Sequence, residues 1–198
     1  MRRAFLAVAA VAALSISVLA QPAGPTTWTV DTAHSAAGFS VKHMMVSTVR
    51  GTLGPIRGTI EYDGKSLDSL KADISIDVTA INTGTQGRDN DLKSPNFFDV
   101  TKYPTATFKS RRAEAAGQGR FKLIGDLTMH GVTKEVTLNV EGPSPAVKTQ
   151  GGQKVGASAT MTINRRDFGL QYSALIEAGP VVSDEVQVTI DIEANKRG

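Results

Sequence analysis

The sequence predicts an all-β domain built from antiparallel strands that each have one apolar and one polar face. Apolar and polar residues alternate along many short segments, as in Ala72, Ile74 and Ile76, which are separated by Asp73 and Ser75. Successive side chains of a strand point to opposite faces, so each such segment has one dry and one wet face. A parallel sheet covered by helices would show continuous apolar runs instead. Strands of this kind either stack as a sandwich or close as a barrel, and propensity alone favours neither.

The predicted strands follow one another along most of the chain. The alternation is clearest at 71–78, 121–129, 135–141, 155–163 and 186–193, and weaker strands are predicted at 27–32, 36–42, 52–62 and 105–111. This gives about eight or nine strands, joined by short turns and by one long Gly- and Pro-containing loop at 142–153. Gly54, Gly58 and Gly125 lie within strands and suit the tight bends that closure into a barrel needs.

One segment, 84–100, lacks the two-residue period and is the best candidate for a helix. Ser94 followed by Pro95 predicts a helix that begins there, with Ser as the N-cap and Pro at the first helical position. Phe97 and Phe98 follow directly in a polar neighbourhood. They either plug one barrel end as ordinary core residues or form a lid over a pocket.

The first 20 residues have the pattern of a secretory signal peptide. Arg2 and Arg3 are followed by an uncharged, Ala-rich run, and the small residues Val18 and Ala20 precede a candidate cleavage site. The alternative is an uncleaved anchor, but the run is shorter than the roughly 20 residues of a spanning helix. We therefore expect cleavage after Ala20, a periplasmic location, and one mature domain at residues 21–198.

Composition and motifs exclude several classes of function. The chain has no cysteine, which excludes thiol catalysis and iron–sulfur ligation. Without Arg2 and Arg3 it holds 20 Lys and Arg against 19 Asp and Glu, and no basic block supports nucleic-acid binding. No nucleophile elbow, dinucleotide fingerprint or phosphate loop occurs. His34, His43 and His130 lack metal-site spacing, so we predict no catalytic residues, no metal and no cofactor.

Several ordered segments together resemble a known family. They are DTAHS at 31–35, FSVKHM at 39–44, Arg88, Asp89, Leu92, Ser94, FFD at 97–99, Tyr103, Pro104, Phe108, LTMHGVTK at 127–134, RDFG at 166–169 and SDEV at 183–186. In this order they are similar to the YceI-like family of bacterial periplasmic proteins, over nearly all of residues 27–194. The family often has His where Asp91 stands and Asp where Asn96 stands, a departure that would alter the preferred head group if either touches a ligand.

The resemblance implies a lipocalin-like barrel of eight antiparallel strands with one short helical segment and a long tunnel. The implied ligand is an amphiphilic lipid, such as a polyprenyl chain or an isoprenoid quinone, and no catalytic site is implied. The inward residues Ala72, Ala106, Ala157 and Ala159 are small enough to leave a cavity, unless large neighbours fill the space. Met44 and Met45, beside Val46, would suit an adaptable apolar mouth.

Two sets of ligand-binding residues follow from these considerations. The predicted tunnel lining is Phe39, Val41, Ile74, Ile76, Phe97, Phe98, Phe108, Leu123, Leu127, Leu138, Ala157, Ala159, Met161, Phe168, Val188 and Ile190. The predicted head-group ligands are Arg88 and Arg166, because an Arg where a strand meets a loop can hold a phosphate or carboxylate by paired hydrogen bonds. The alternative for both is a local ion pair that pins the loop.

The leading functional hypothesis is a periplasmic binding and carrier protein for a polyisoprenoid or similar lipid, with membrane-surface contact for lipid exchange. One alternative is a partner-binding scaffold for a membrane redox or stress-response system, which should show a large exposed apolar patch. Another is an enzyme acting on isoprenoid lipids, which should depend on a single buried polar group. The sequence implies no particular oligomeric state.

Overall fold

An antiparallel sheet that closes on itself forms the body of the protein. The computed structural model describes residues 26–176 and 179–196, so the predicted signal peptide at 1–20 lies outside the described residues. The strands are β1 (Thr26–Val30), β2 (Ala36–His43), β3 (Ser47–Thr52), β4 (Ile56–Tyr62), β5 (Lys71–Asp77), β6 (Thr105–Ala115), β7 (Arg120–Met129), β8 (Val132–Glu141), β9 (Val147–Thr149), β10 (Gly152–Asn164), β11 (Leu175–Ile176), β12 (Gly179–Pro180) and β13 (Val182–Lys196).

The wall of the barrel contains eight long strands, as predicted. β1 and β2 act as two halves of one bent strand, since both pair with β13, and β3 and β4 are the two halves of the next. From there the order is β5, β6, β7, β8, β10 and β13, and every pairing is antiparallel. β10 pairs with β13 along its whole length but meets β8 at only three positions, Ser158, Ala159 and Thr160. The sandwich alternative is therefore excluded.

The connections divide into two barrel ends because successive wall strands run in opposite directions. The helix end carries the turn at 44–46, the segment 78–104, the turn at 130–131 and the segment 165–181. The opposite end carries 63–70, 116–119 and 142–151. The wall strands join these two ends.

The helix is α1 (Gln86–Lys93), which ends where the sequence pattern predicted that it would begin. Ser94 is the C-cap, in an extended conformation with ψ 170°, and its N–H donates to the carbonyl oxygen of Asp91. The physical reason is that a residue before proline is disfavoured in the helical region, so Pro95 stops the helix. Short 3₁₀ helices span Leu67–Ser69, Val78–Ala80 and Arg165–Phe168.

Two glycines fit the close approach of neighbouring strands. A Cβ on Gly58, which has φ 147°, would lie 2.1 Å from the carbonyl oxygen of Asp73 on β5. A Cβ on Gly125 would lie 2.3 Å from the carbonyl oxygen of Lys109, beside a register shift in β6. The segment predicted as one strand at 52–62 divides around Gly54 and Pro55, which lie between β3 and β4.

The apolar faces of the strands meet inside the barrel and form the core. Its largest fully buried side chains are Phe168, Ile56, Ile81 and Val78. Among residues 26–176 and 179–196, no helix has the length and apolar character that a membrane crossing requires. The dry face predicted for each strand is therefore the inner face of a barrel, and this interior contains the candidate site.

Candidate functional site

An apolar cavity runs along the inside of the barrel. The centre of a water molecule could occupy about 210 Å³ of it, more than ten times the roughly 10–15 Å³ that holds one water. The lining includes Tyr62, Leu70 and Phe121 near the opposite end, and Leu170 and Val182 near the helix end. The cavity therefore reaches along most of the barrel rather than forming a local void.

The cavity has the length of an extended chain. Along β10 its lining runs from Val155 to Ile163 and on to Arg165. The strand from Val155 to Ile163 spans about 26 Å at a rise of about 3.3 Å per residue. A strand tilt of about 40° reduces this to about 20 Å along the barrel axis. A ligand that filled the space would be long and narrow.

Small inward side chains account for much of this space. Ala72, Ala106, Ala157 and Ala159 all line the cavity, and none is matched by neighbours large enough to fill the interior. Most side chains around them are aliphatic or aromatic. Within the described chain, the lining residues with polar side-chain groups are Trp28, Tyr62, Thr107 and Arg165. The middle of the cavity thus offers an almost purely apolar surface.

The structure brings nearly all the predicted lining residues together around this cavity. Phe39, Val41, Ile74, Ile76, Phe97, Phe98, Phe108, Leu123, Leu127, Leu138, Ala157, Ala159, Met161, Val188 and Ile190 line it. Phe168 does not. It lies in the 3₁₀ helix after β10, is 2% exposed, and belongs to the apolar core. Its carbonyl oxygen lies 3.2 Å from Nδ1 of His130, which links that helix to the β7–β8 turn.

The predicted lining omitted some inward residues of regular strands, such as Ile163, and it missed residues in the less regular strands and in the loops. Trp28 and Ile56 belong to strands whose alternation is weak, although their size and apolar character were available as a signal. Leu92 and Leu170 reach the cavity from α1 and from the segment after β10. Their positions depend on tertiary folding that a strand period does not describe.

Phe97 and Phe98 close the helix end of the cavity. Both are 8% exposed and line the cavity, and the ring of Phe97 stacks on Tyr172 with centroids 4.8 Å apart. The N–H of Phe98 donates to the carbonyl oxygen of Leu92, which ties the turn back to α1. These contacts are those of a plug, and both phenylalanine rings form part of the cavity wall.

The two positions that depart from the family pattern bind each other at the surface. Asn96 Nδ2 donates to Asp91 Oδ1 at 3.1 Å. Asn96 is exposed, and neither residue lines the cavity. Their replacement therefore changes a hydrogen bond beside α1 rather than the lining of the interior.

Arg165 is the buried cation at the helix end, although the sequence prediction of a head-group ligand named its neighbour Arg166 instead. It is 3% exposed. Its guanidinium donates to the backbone carbonyl oxygens of Leu170, Val182 and Ser183. Nη2 also donates to Asp184 Oδ1 at 2.9 Å. Burial lowers the pKa of Arg165, but a guanidinium keeps its charge in proteins. Arg165 thus fastens the segment after β10 to the start of β13.

The predicted head-group residues Arg88 and Arg166 do not line the cavity. Nε of Arg88 donates to Thr83 Oγ1 at 2.8 Å, and its Nη2 donates to Thr85 Oγ1 at 3.0 Å. Nε of Arg166 donates to Asp184 Oδ1 at 2.7 Å. Both side chains hold local loops: Arg166 forms the ion pair that was the alternative for it, whereas Arg88 binds threonine oxygens and no carboxylate among the described residues.

A polar cluster on the outer wall brings together Asp31, His34 and Glu193, whose ligand atoms lie within 4.8 Å of one another. Lys154 Nζ donates to both carboxylates and lies 3.1 Å from Asp31 Oδ2. Hydrogen bonds from Asn195, His34 and Lys154 hold the pKa of Asp31 far below its usual range, and the carboxylates raise the pKa of Lys154. The Lys154 ammonium group bridges both carboxylates, so the cluster is an ion-pair network that ties the end of β1 to β10 and β13.

The chain is similar to known proteins over most of its length. The YceI-like domain family matches residues 28–194. A UPF0312 protein of Vibrio cholerae is 32% identical over 173 residues, which cover 86% of this chain and 90% of that protein. The family resemblance predicted from ordered motifs is confirmed.

Solved structures share the fold. A YCEI protein of Campylobacter jejuni superposes with a TM-score of 0.67 at 32% identity, covering 79% of this chain and 90% of that one. A polyisoprenoid binding domain from Saccharophagus degradans superposes with a TM-score of 0.64 at 18% identity, covering 85% and 97%. The second likeness concerns the fold alone.

The two adjacent arginines allow a matched test of the helix end. Arg165→Met leaves the carbonyls of Leu170, Val182 and Ser183 without this donor, so we expect it to reduce the free energy of unfolding by about 3–5 kcal/mol. Arg166→Met removes a half-exposed ion pair and should cost about 0–1 kcal/mol. Urea unfolding followed by circular dichroism measures both, and equal losses would contradict the structural role assigned to Arg165.

Proposed function

Because the chain belongs to the YceI-like family, we propose that it binds a polyisoprenoid or similar amphiphilic lipid inside the barrel and carries it in the periplasm. The observation that carries this proposal is the long, apolar cavity with its small inward alanines. The name of the Saccharophagus degradans domain, which describes polyisoprenoid binding, supports the same class of ligand. Polyprenyl chains and isoprenoid quinones both have the required shape.

Burial of the lipid chain supplies the driving force in this proposal. Each CH₂ group removed from water contributes about 0.8 kcal/mol. A chain of several prenyl units therefore has a large favourable term to set against the loss of translational and conformational freedom on binding. The dry lining around Ala157, Ala159 and Met161 offers the chain no polar partner, so affinity would grow with chain length.

We propose that the head group lies at the helix end, where Arg165 reaches the cavity wall. A guanidinium has five N–H donors. Four of those of Arg165 donate hydrogen bonds to described residues. The remaining donor belongs to Nη1 and could reach a phosphate or quinone oxygen. The head-group role of Arg88 and Arg166 stays a prediction, one that would require the head to extend outside the cavity.

Binding has better support than catalysis. Within the described chain, the polar side-chain groups of the cavity lining are the hydroxyl groups of Thr107 and Tyr62, the indole N–H of Trp28 and the guanidinium of Arg165. The lining formed by these described residues contains no carboxylate or imidazole. An enzyme acting on isoprenoid lipids would need a group able to transfer a proton or attack the ligand, and carboxylates and imidazoles do this most often. The scaffold alternative remains a competing outcome of the experiments below.

Filling the cavity should block lipid binding while leaving the fold intact. Ala159→Phe places a phenyl ring in open space, so we expect loss of co-purified or added polyprenyl lipid in native mass spectrometry with an unchanged Tm. Thr160→Phe adds an aromatic ring on the exposed outer face of the same strand and should keep the lipid. If Ala159→Phe instead unfolds the barrel, with the overpacking penalty of about 1–3 kcal/mol, the interior is filled and the proposal fails.

We also propose that the chain is exported and that residues 1–20 are removed. The support is the sequence pattern around Ala20, which fits a signal-peptidase site. The intact mass of protein recovered from the periplasm should match a chain that begins at Gln21. Full-length chain in the membrane fraction would show that the segment is an anchor.

A further inference from the structure

The turn between β2 and β3 has a backbone conformation that its residues disfavour. Met44 and Met45 both have positive φ, 52° and 59°. Two successive left-handed residues in a hairpin turn are usually Asn and Gly, because other side chains are strained there. Strain of this kind persists where surrounding structure or function requires it. The turn therefore presents methionine at a position where local folding energetics would favour a small polar residue.

Exposed apolar side chains are concentrated beside this turn. Met45 is 58% exposed, Val46 is 85% exposed, and Leu175 on the neighbouring β11 is 78% exposed. The two segments are joined through Val181, whose N–H donates to Ala174 and whose carbonyl accepts from Met44. We call Met45, Val46 and Leu175 the apolar tip. The other strongly exposed large apolar residue in the described chain, Val147, lies at the opposite end.

The hairpin that carries the tip is positively charged. Residues 32–60 contain Lys42, Arg50 and Arg57 but no Asp or Glu. Lys42 and Arg50 are exposed on the two strands of the hairpin. On the adjacent strand β13, Arg165 and Arg166 bind Asp184. Glu185 on the same strand is an exposed carboxylate that Lys42 and Arg50 together outnumber. An apolar tip on a cationic hairpin is complementary to a surface that is anionic outside and apolar just below.

The tip lies next to the helix end of the cavity. His43, which precedes Met44, pairs with Val182 on β13, and Val182 lines the cavity. Val41, two residues earlier in β2, also lines it. A lipid leaving or entering at this end would therefore pass close to whatever surface the tip contacts.

We propose that the apolar tip docks on an anionic lipid bilayer and brings the helix end of the cavity to the membrane surface. Met45, Val46 and Leu175 enter the head-group region, where amphipathic elements bury apolar side chains, while Lys42 and Arg50 contact lipid phosphates. A second copy of the chain is a poorer fit, because two cationic hairpins would repel each other. The purpose of docking, loading of the cavity, rests on the proposed lipid-binding function, but docking itself does not.

Vesicle co-sedimentation tests the docking. The full mature protein should bind phosphatidylcholine vesicles that contain phosphatidylglycerol more tightly than vesicles of phosphatidylcholine alone, and high salt should weaken the binding. The double variant Met45→Ser/Val46→Ser should weaken it about tenfold or more, given the apolar area withdrawn from the bilayer. Val147→Ser, at the opposite end, is the matched control and should bind as the wild type does.

A separate measurement of lipid uptake distinguishes this proposal from the function on which it rests. The double variant should take up polyprenyl lipid from detergent micelles as the wild type does, but more slowly from vesicles. Docking would be overturned, even if the cavity holds lipid, by wild-type protein that does not bind anionic vesicles. It would also be overturned if Val147→Ser weakened vesicle binding as much as the double variant does. A tip that instead mediates dimerisation, seen as a shift to monomer in the double variant without vesicle binding, would also overturn it. Protein that binds vesicles but takes up no lipid from either source would overturn the carrier function and leave docking standing.

Discussion

β13 pairs with β10 on one side and with β2 and β1 on the other, and this double pairing closes the sheet. Closure satisfies the backbone groups that an open sheet would leave at its edges. It also surrounds the inner faces of all eight wall strands, so that apolar residues spaced two apart along each strand converge on one axis. The cavity, its plug at Phe97 and Phe98, and the position of Arg165 all depend on that closed wall.

The interior of the barrel is enclosed by the wall but is not filled by its own side chains. A barrel of this size can be packed solid by its own side chains, but Ala72, Ala106, Ala157 and Ala159 leave space instead. An open apolar interior forgoes dispersion contacts that a packed core would gain. A bound lipid chain would restore those contacts and stabilise the folded state by binding it selectively. Stability and ligand binding would then share the same apolar surface.

Sequence alone predicted most of the wall and little of the ends. Period-two alternation identifies inward residues such as Ile74 or Leu138 because strand geometry fixes the facing of each side chain. Ser94 was predicted as an N-cap but is the C-cap of α1. Pro95 disfavours the helical conformation of the residue before it, so the helix ends at Ser94 instead of beginning there. Arg165 and Arg166 are adjacent, and only the 3₁₀ turn that follows β10 decides which guanidinium is buried. Phe168 was predicted to line the tunnel, but it lies in the same 3₁₀ turn and is not among the lining residues.

The central claim is that the cavity holds a long-chain lipid, and organic extraction of the protein tests it most directly. Protein purified without detergent would be extracted, and the lipids identified and quantified by mass spectrometry. The account predicts one class of long isoprenoid or similar amphiphile in about equimolar ratio to protein, enriched over its share of the cell's lipids. Protein that contains no lipid and takes none up, or that yields only a mixture with the composition of the bulk membrane, would contradict the claim.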